Sequence, residues 1–150
     1  MNSKAAVDGF LAQRTIALVG ASRDPKAFSS GAYKELTEKG YRVVLVNPKA
    51  DTVMGQPCYP SLRDLPEPVG AALIMVAPAQ AEAVVRDAAA AGIKHVWMQQ
   101  GAESAAAVEF CQENGISEVH GECILMFAQP QKFYHKPHRW VWGMLGKLPK

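Results

Sequence analysis

Short runs of apolar residues, separated by amphipathic stretches, recur along the first 120 residues. Within each run the apolar residues do not alternate with polar ones, which is typical of strands that are covered on both faces. These runs predict five strands, at 15–19, 41–47, 71–76, 95–98 and 117–120. Stretches with apolar residues at helical spacing predict four helices, at about 5–14, 28–39, 78–91 and 103–113. Strand and helix therefore alternate along the chain.

Alternation of buried strands with helices predicts a parallel sheet between two layers of helices. We therefore predict an α/β protein, a Rossmann-like three-layer αβα sandwich whose five-stranded, mostly parallel sheet has the order 3-2-1-4-5. Residues 49–68 are a long connection interrupted by prolines, with a short helix at 61–65. The domain is expected to span residues 1–126 and to be followed by a basic, aromatic tail at 127–150.

Charge divides the chain into the same two parts. The formal net charge is +2, but the last nineteen residues carry +5 and the rest carries −3. Tryptophans in the tail need cover, so we expect the tail to pack on the domain or on a second subunit of a homodimer. Contact with a membrane surface is an alternative. Nucleic acid is not expected as a partner, because five cations without a basic body bind phosphate weakly.

Other features bear on compartment and metal chemistry. No apolar run is long enough to cross a membrane, and the first ten residues lack the apolar region of a signal peptide, so a cytoplasmic protein without a transmembrane segment is expected. Cys58, Cys111 and Cys123 have no CxxC spacing, which argues against disulfides and structural zinc. His120 and Glu122 join Cys123 as ligand types, but consecutive strand residues face opposite ways, so no metal site is predicted.

The turn after the first strand has the composition of a phosphate site. Gly20 allows close approach of the backbone, Ser22 supplies a hydroxyl, and Arg23 and Lys26 supply positive charge. The helix predicted from Phe28 would present free N–H groups and the positive end of its dipole just behind the turn. Ligands of such sheets bind at the carboxyl ends of the strands. The sequence therefore predicts a phosphate-bearing nucleotide here, the alternative being a solvated loop.

The type of nucleotide depends on two further positions. A dinucleotide-binding turn has three glycines, and here Gly20 alone is present. The second strand leads into Asn47, Pro48 and Lys49, where NAD-binding proteins place an acid. Asp51 lies close to this position, so NAD stays an alternative ligand. A cation suits a nucleotide with an extra ribose phosphate, which is coenzyme A (CoA) or NADP. An exposed lysine after a strand is also common, so Lys49 alone does not decide between contact and solvation.

Four motifs then occur in a characteristic order, namely VGAS with a basic loop at 19–26, GY-x-V-x-x-VNP at 40–48, the glycine at position 55, and W-x-Q-x-G at 97–101. In this order and spacing they resemble the small stand-alone CoA-binding proteins. These are similar to the CoA-binding domain of the succinyl-CoA synthetase alpha subunit and of ADP-forming acyl-CoA synthetases. The resemblance covers nearly all of residues 14–126. It implies a Rossmann-like fold and CoA binding, without a demonstrated reaction.

Carried over by position, the resemblance implies three groups of ligand contacts. The pyrophosphate would be held by Gly20, Ala21, Ser22, Arg23 and Lys26. The adenosine and its 3′-phosphate would be flanked by Pro48 and Lys49. The rest of the ligand would meet Val76 and Pro78, with Gln99 and Gly101 beside the pantetheine arm. Both prolines also have structural reasons to end a strand and begin a helix.

The expected function is binding of CoA or an acyl-CoA, as a carrier, sensor or regulatory protein, with no catalytic residue predicted. The synthetases use a phosphorylated histidine in a separate domain for which this chain has no room. An acyl-CoA synthetase subunit that needs a partner chain is therefore a third hypothesis. A second hypothesis is that the chain is an NADP-dependent oxidoreductase or redox sensor that uses the same pocket. Cys123 is either a small buried hydrophobe or a reactive thiol on the ligand side, able to form a mixed disulfide with CoA.

Overall fold

The computed structural model describes residues 4–24 and 26–124. The strands are β1 (Thr15–Val19), β2 (Arg42–Val46), β3 (Thr52–Val53), β4 (Gln56–Tyr59), β5 (Ala71–Ile74), β6 (His95–Gln99) and β7 (Ser117–Glu122). The α-helices are α1 (Lys4–Leu11), α2 (Phe28–Glu38), α3 (Pro78–Ala90) and α4 (Ala105–Glu113), and a 3-10 turn spans Leu62–Asp64. Each predicted helix and strand is therefore present, with ends shifted by a few residues.

The strands form one sheet in the order β3-β4-β2-β1-β5-β6-β7. β3 runs antiparallel to β4, and the other neighbouring pairs are parallel. The prediction of a Rossmann-like α/β fold with a mostly parallel sheet is confirmed. The prediction of five strands in the order 3-2-1-4-5 is wrong, because the sheet has seven strands and the third predicted strand, β5, pairs with β1 rather than β2.

A hairpin explains the difference in strand order. β3 and β4 lie inside the stretch predicted as a connection, and β4 takes the place beside β2. Met54 and Gly55 form the turn between them, both with positive φ, of 52° and 73°. Such a two-residue turn matches the twist of a hairpin. The two strands bury one side chain each, Val53 and Cys58, so they leave no apolar run in the sequence.

The two faces of the sheet bury separate sets of side chains. Alternation along β1 directs Ile16 and Leu18 into a core with residues of α1 and α2. Ala17 and Val19 pack in a second core with residues of α3 and α4. The sheet is therefore the middle of three layers, and its strand ends remain available for a site.

An irregularity at the ends of β6 and β7 shapes that edge. The register shifts between Met98 and Gln99, so that Gln99 pairs with Glu122. The indole N–H of Trp97 donates to the backbone oxygen of Glu122 at 3.0 Å. The Oε1 atom of Gln99 accepts from the N–H of Ile124 at 3.0 Å. The chain leaving β7 is thereby held across the end of β6.

Some predictions concern residues that the structure does not describe. The boundary at residue 126, the tail at 127–150 and a dimer contact through that tail lie outside the described residues. In the part of the chain that is described, no helix has the length and apolar character needed to cross a membrane.

Candidate functional site

Two adjoining cavities open at the carboxyl ends of the parallel strands. The α2 cavity, of about 550 Å³, lies between the start of α2 and the end of β6. The α3 cavity, of about 590 Å³, lies between the end of β2, the 3-10 turn and α3. Gly20, Met75 and Val76 line both, so they form a ridge where the two cavities meet. This ridge lies at the ends of β1 and β5, where the chain crosses to the other side of the sheet, which is the usual ligand position in open α/β sheets.

Seven of the eleven predicted site residues line these cavities. Those of the α2 cavity are Gly20, Ser22, Val76, Gln99 and Gly101. Those of the α3 cavity are Gly20, Pro48, Lys49 and Val76. The structure thus brings together residues that are up to 81 positions apart in the sequence.

The remaining four predicted residues line neither cavity. Ala21 is buried, and its carbonyl oxygen accepts from Nδ2 of Asn47 at 2.6 Å. Arg23 and Lys26 are exposed on the loop between β1 and α2. Pro78 is the exposed first residue of α3, next to a residue that lines the α3 cavity. A role of these four in ligand contact stays a prediction.

Gly20 is required by the protein itself rather than by a ligand. Its φ is +102°, and a Cβ atom there would overlap the carbonyl oxygen of Met75. Its N–H donates to the carbonyl oxygen of Val46 at 3.0 Å. The turn after β1 is therefore fixed between the ends of its two neighbours, β2 and β5.

Internal hydrogen bonds shape the loop after this turn. The Oγ atom of Ser22 accepts from the N–H of Asp24 at 3.1 Å, and Oδ1 of Asp24 accepts from the N–H of Lys26 at 2.9 Å. The N–H of Ser22 donates to Oγ of Ser29 at 3.1 Å. Ser22 can still donate its hydroxyl hydrogen to a ligand. The backbone of this loop is therefore ordered by the loop's own side chains.

Backbone N–H groups without a described acceptor lie at the start of α2 and, in the loop before it, at Arg23. Gly20, Ala21 and Ser22 already donate their N–H groups to protein acceptors. No side chain caps α2, and the N–H groups of Phe28 and Ser29, which line the α2 cavity, donate to no acceptor among the described residues. A helix start of this kind favours an anion. Phe28 and Ser29 are not among the predicted contact residues, although the helix start predicted at Phe28 was the sequence signal for these two donors.

Asn47 connects the turns that follow β1 and β2. Its Nδ2 donates to Ala21, as described above, and its Oδ1 accepts from the N–H of Lys49 at 2.7 Å. Lys49 is exposed at the rim of the α3 cavity. An acid of the same cavity, Asp87, is paired with Arg63 at 3.1 Å, which offsets its charge. The α3 cavity thus has a cation available for an anionic ligand group.

The three cysteines differ in their surroundings. Cys58 and Cys111 are buried in the two cores. Burial raises the pKa of Cys58, and burial together with the charge of Glu118 raises the pKa of Cys111 to about 12. Both thiols therefore stay protonated at neutral pH. Cys123 is half-buried and lines the α2 cavity.

Metal-ligating side chains do not gather in the part of the chain that the structure describes. Nδ1 of His120 lies 2.7 Å from Oε2 of Glu118, but these residues line neither cavity. Groups of three or more histidine, cysteine and acidic residues that could hold a metal ion are absent from residues 4–24 and 26–124.

The architecture defines the class of protein. A mostly parallel sheet between helix layers, with cavities at the strand ends beside β1, is a Rossmann-like α/β fold whose cavities lie at the edge where such folds usually bind ligands. The family model described as "CoA binding domain" matches residues 14–129. The chain belongs to this CoA-binding domain family, and the membership supports CoA binding.

Similar proteins fall into two groups. A hypothetical protein from Pyrococcus horikoshii OT3 has a solved structure with a TM-score of 0.79 and 31% identity, covering 90% of this chain and 91% of that one. The YneT protein of Bacillus subtilis (strain 168) is 27% identical over 123 residues, which are 81% of this chain and 91% of YneT. The alpha subunit of acetate–CoA ligase (ADP-forming) II of Pyrococcus furiosus is 38% identical over 71 residues, 47% of this chain.

The length of the match differs between these groups. The chain spans most of the two small relatives but 16% of the acetate–CoA ligase subunit. The activity in that subunit's name therefore belongs to a much longer protein.

Proposed function

We propose that the chain binds CoA or an acyl-CoA across the two cavities, as a cytoplasmic carrier, sensor or regulatory protein rather than as an enzyme. One observation carries the proposal. The two cavities meet at the Gly20 ridge beside the uncapped start of α2, in a chain of the CoA-binding domain family. This arrangement suits a long ligand with a nucleotide at one end, phosphates in the middle and a narrow arm at the other. The free cysteines suit a reducing compartment.

The adenosine fits the α3 cavity best. Its walls include the apolar side chains of Val46, Leu62 and Val84, which suit a base. Lys49 lies at the rim, where its ammonium group can bind the 3′-phosphate that distinguishes CoA from dephospho-CoA. We assign the adenosine and its 3′-phosphate to this cavity.

The pyrophosphate and the pantetheine arm then belong to the α2 side. Donors for an anion there are the hydroxyl of Ser22 and the N–H groups of Phe28 and Ser29. Beyond them the cavity passes Gln99 and Gly101. These groups can hold and orient a ligand. None of them is proposed to transfer a proton or a hydride.

Thermal stabilisation of the purified chain tests the proposal. A ligand at about a hundred times its Kd adds about 2.7 kcal/mol of stability, which raises the Tm by about 5–10 °C for a protein of this size. We expect CoA and acetyl-CoA to raise the Tm, dephospho-CoA to raise it less, and NAD to leave it unchanged. A rise with NADP and none with CoA would refute the proposal and favour the oxidoreductase hypothesis.

A pair of variants tests the 3′-phosphate contact. In Lys49→Ala the rise in Tm should be the same with CoA and with dephospho-CoA, because the positive charge that binds the 3′-phosphate is gone. Lys94→Ala removes an exposed lysine from the opposite edge of the sheet, just before β6, and should keep the full difference. Equal behaviour of the two variants would rule out the assigned role of Lys49.

A further inference from the structure

We propose that Asp87 determines the base specificity of the site by accepting a hydrogen bond from the 6-amino group of adenine at the inner end of the α3 cavity. The inference rests on the proposed function, since it requires the adenosine of CoA to lie in this cavity. Asp87 is thereby a specificity-determining residue and takes no part in bond making. The ligand class is a nucleotide whose base carries an amino group at this position.

The first observation is a stripe of side chains on α3. Gln80, Ala83, Val84 and Asp87 line the α3 cavity and lie at positions i, i+3, i+4 and i+7, which share one face of a helix. Ala83 and Val84 supply an apolar surface between two polar side chains. The helix rises by about 10 Å from Gln80 to Asp87, at about 1.5 Å per residue. A flat base that packs on this surface therefore has a polar side chain beyond either edge.

The direction of α3 decides which end of the stripe meets the amino group of the base. β5 and β6 are parallel, and α3 connects the end of one to the start of the other, so it runs back from the edge at which the cavities open. Gln80 is therefore close to this edge, and Asp87 lies about two turns further along the helix. Lys49 lies at the rim, where the proposed function assigns the 3′-phosphate. A ribose held there directs the base inwards, and the 6-amino group, on the side of the purine away from the ribose, then points to Asp87.

Hydrogen bonds within the protein leave few side chains of this cavity able to bind a base. Both ends of the Asn47 amide are in use, with a backbone carbonyl oxygen and a backbone N–H. Oγ of Ser61 donates to a carboxylate at 2.8 Å and accepts from a backbone N–H at 3.2 Å. Lys49 is assigned to the phosphate, and Gln80 lies at the ribose end of the stripe. Among the described residues that line the cavity, Asp87 is the remaining polar side chain.

Asp87 has an oxygen atom available for this bond. Nε of Arg63 lies 3.1 Å from Oδ1 of Asp87, and Oδ2 has no partner among the residues that the structure describes. Arg63 does not line the α3 cavity, so it holds the carboxylate from outside the site. A carboxylate accepts hydrogen bonds and donates none, which matches an amino group and disfavours a carbonyl group at the same place. A base without the amino group would leave this oxygen atom without a donor in the complex, which weakens binding.

Isothermal titration calorimetry of the full chain tests the proposal with CoA and with an analogue of CoA that has unsubstituted purine in place of adenine. The analogue lacks the 6-amino group and is otherwise the same. We expect the wild-type chain to bind CoA at least about tenfold more tightly than the analogue, a comparison that needs no variant to fold. Asp87→Ala should bind CoA as weakly as the analogue, and should bind the analogue as the wild type does. Arg63→Ala removes the same ion pair but keeps the carboxylate, so it should keep the preference for CoA.

Contrary results are distinguishable from a failure of the proposed function. Equal affinity of the wild type for CoA and the analogue would refute the contact with the amino group and leave CoA binding intact. A preference for CoA that persists in Asp87→Ala would show that another residue binds the amino group, and would refute the role of Asp87. Loss of the preference in Arg63→Ala as well would show that the ion pair shapes the cavity and that the carboxylate itself does not select the base. Failure of CoA binding would overturn both proposals and is seen separately, because CoA then raises the Tm of neither the wild type nor the variants.

Discussion

Gly20→Ala tests whether the turn after β1 stabilises the edge of the sheet at which the two cavities open. The substitution forces a residue with a Cβ into a φ of +102° and brings that atom against the carbonyl oxygen of Met75. Backbone strain of this kind costs about 1–3 kcal/mol. Overpacking against fixed atoms costs about 1–3 kcal/mol more. The turn cannot move away freely, because the N–H of Gly20 is bonded to Val46 on the other side. We therefore expect a loss of about 2–6 kcal/mol in the free energy of unfolding.

Gly92 offers a matched control for this prediction. It also has a positive φ, of +79°, but a Cβ atom there meets nothing within 4 Å. Gly92→Ala should therefore cost only the conformational penalty, about 1–2 kcal/mol. Urea unfolding monitored by circular dichroism measures both losses. If the two variants lose the same stability, the Met75 carbonyl group moves away from the added Cβ atom without a loss of stability, and our account of Gly20 is wrong.

Three further predictions concern packing and titration. Ser104→Ala should cost about 1 kcal/mol in urea unfolding, because Oγ of Ser104 accepts from the N–H of Ala107 at 3.1 Å and caps α4; no change would mean that water replaces the cap. Trp97→Phe should cost about 1–3 kcal/mol, because the Glu122 carbonyl loses its indole donor; a smaller loss would show that this bond is dispensable. The pKa of Cys111 is about 12 in the folded chain against 9.0 as its ordinary value, so the unfolded chain loses this proton first. Stability should then fall from pH 9 to 12, by up to about 1.4 kcal/mol per pH unit, and less in Cys111→Ala; parallel curves for the two proteins would contradict this.

Much of the fold could be predicted because burial leaves a direct trace in the sequence. β1, β2 and β5 are apolar without alternation, since helices cover both faces of the sheet. The hairpin leaves no such trace. Its strands of two and four residues lie at the edge of the sheet and include a proline at position 57. The place of β5 beside β1 then follows from the hairpin, because β4 already occupies the position next to β2.

The candidate site was predictable in composition but not in hydrogen bonding. The residues at the strand ends could be read from the chain, because ligands of parallel sheets bind at that edge. Which N–H groups remain free could not. Val46 accepts from both Gly20 and Ala21, and Ser29 accepts from Ser22, so those donors are used by residues that the sequence does not show to be near. Of the N–H groups that the structure describes between residues 20 and 29, those of Arg23, Phe28 and Ser29 donate to no described acceptor.

The side chain of Asn47 has a mechanical consequence. Through one amide group it joins the carbonyl oxygen of Ala21 to the N–H of Lys49. The turn after β1 and the turn after β2 are therefore linked by hydrogen bonds, and a shift of one turn moves the other. This linkage fixes the distance between the end of the α2 cavity and the rim of the α3 cavity. A ligand that bridges the two must match this length as well as the charges at either end.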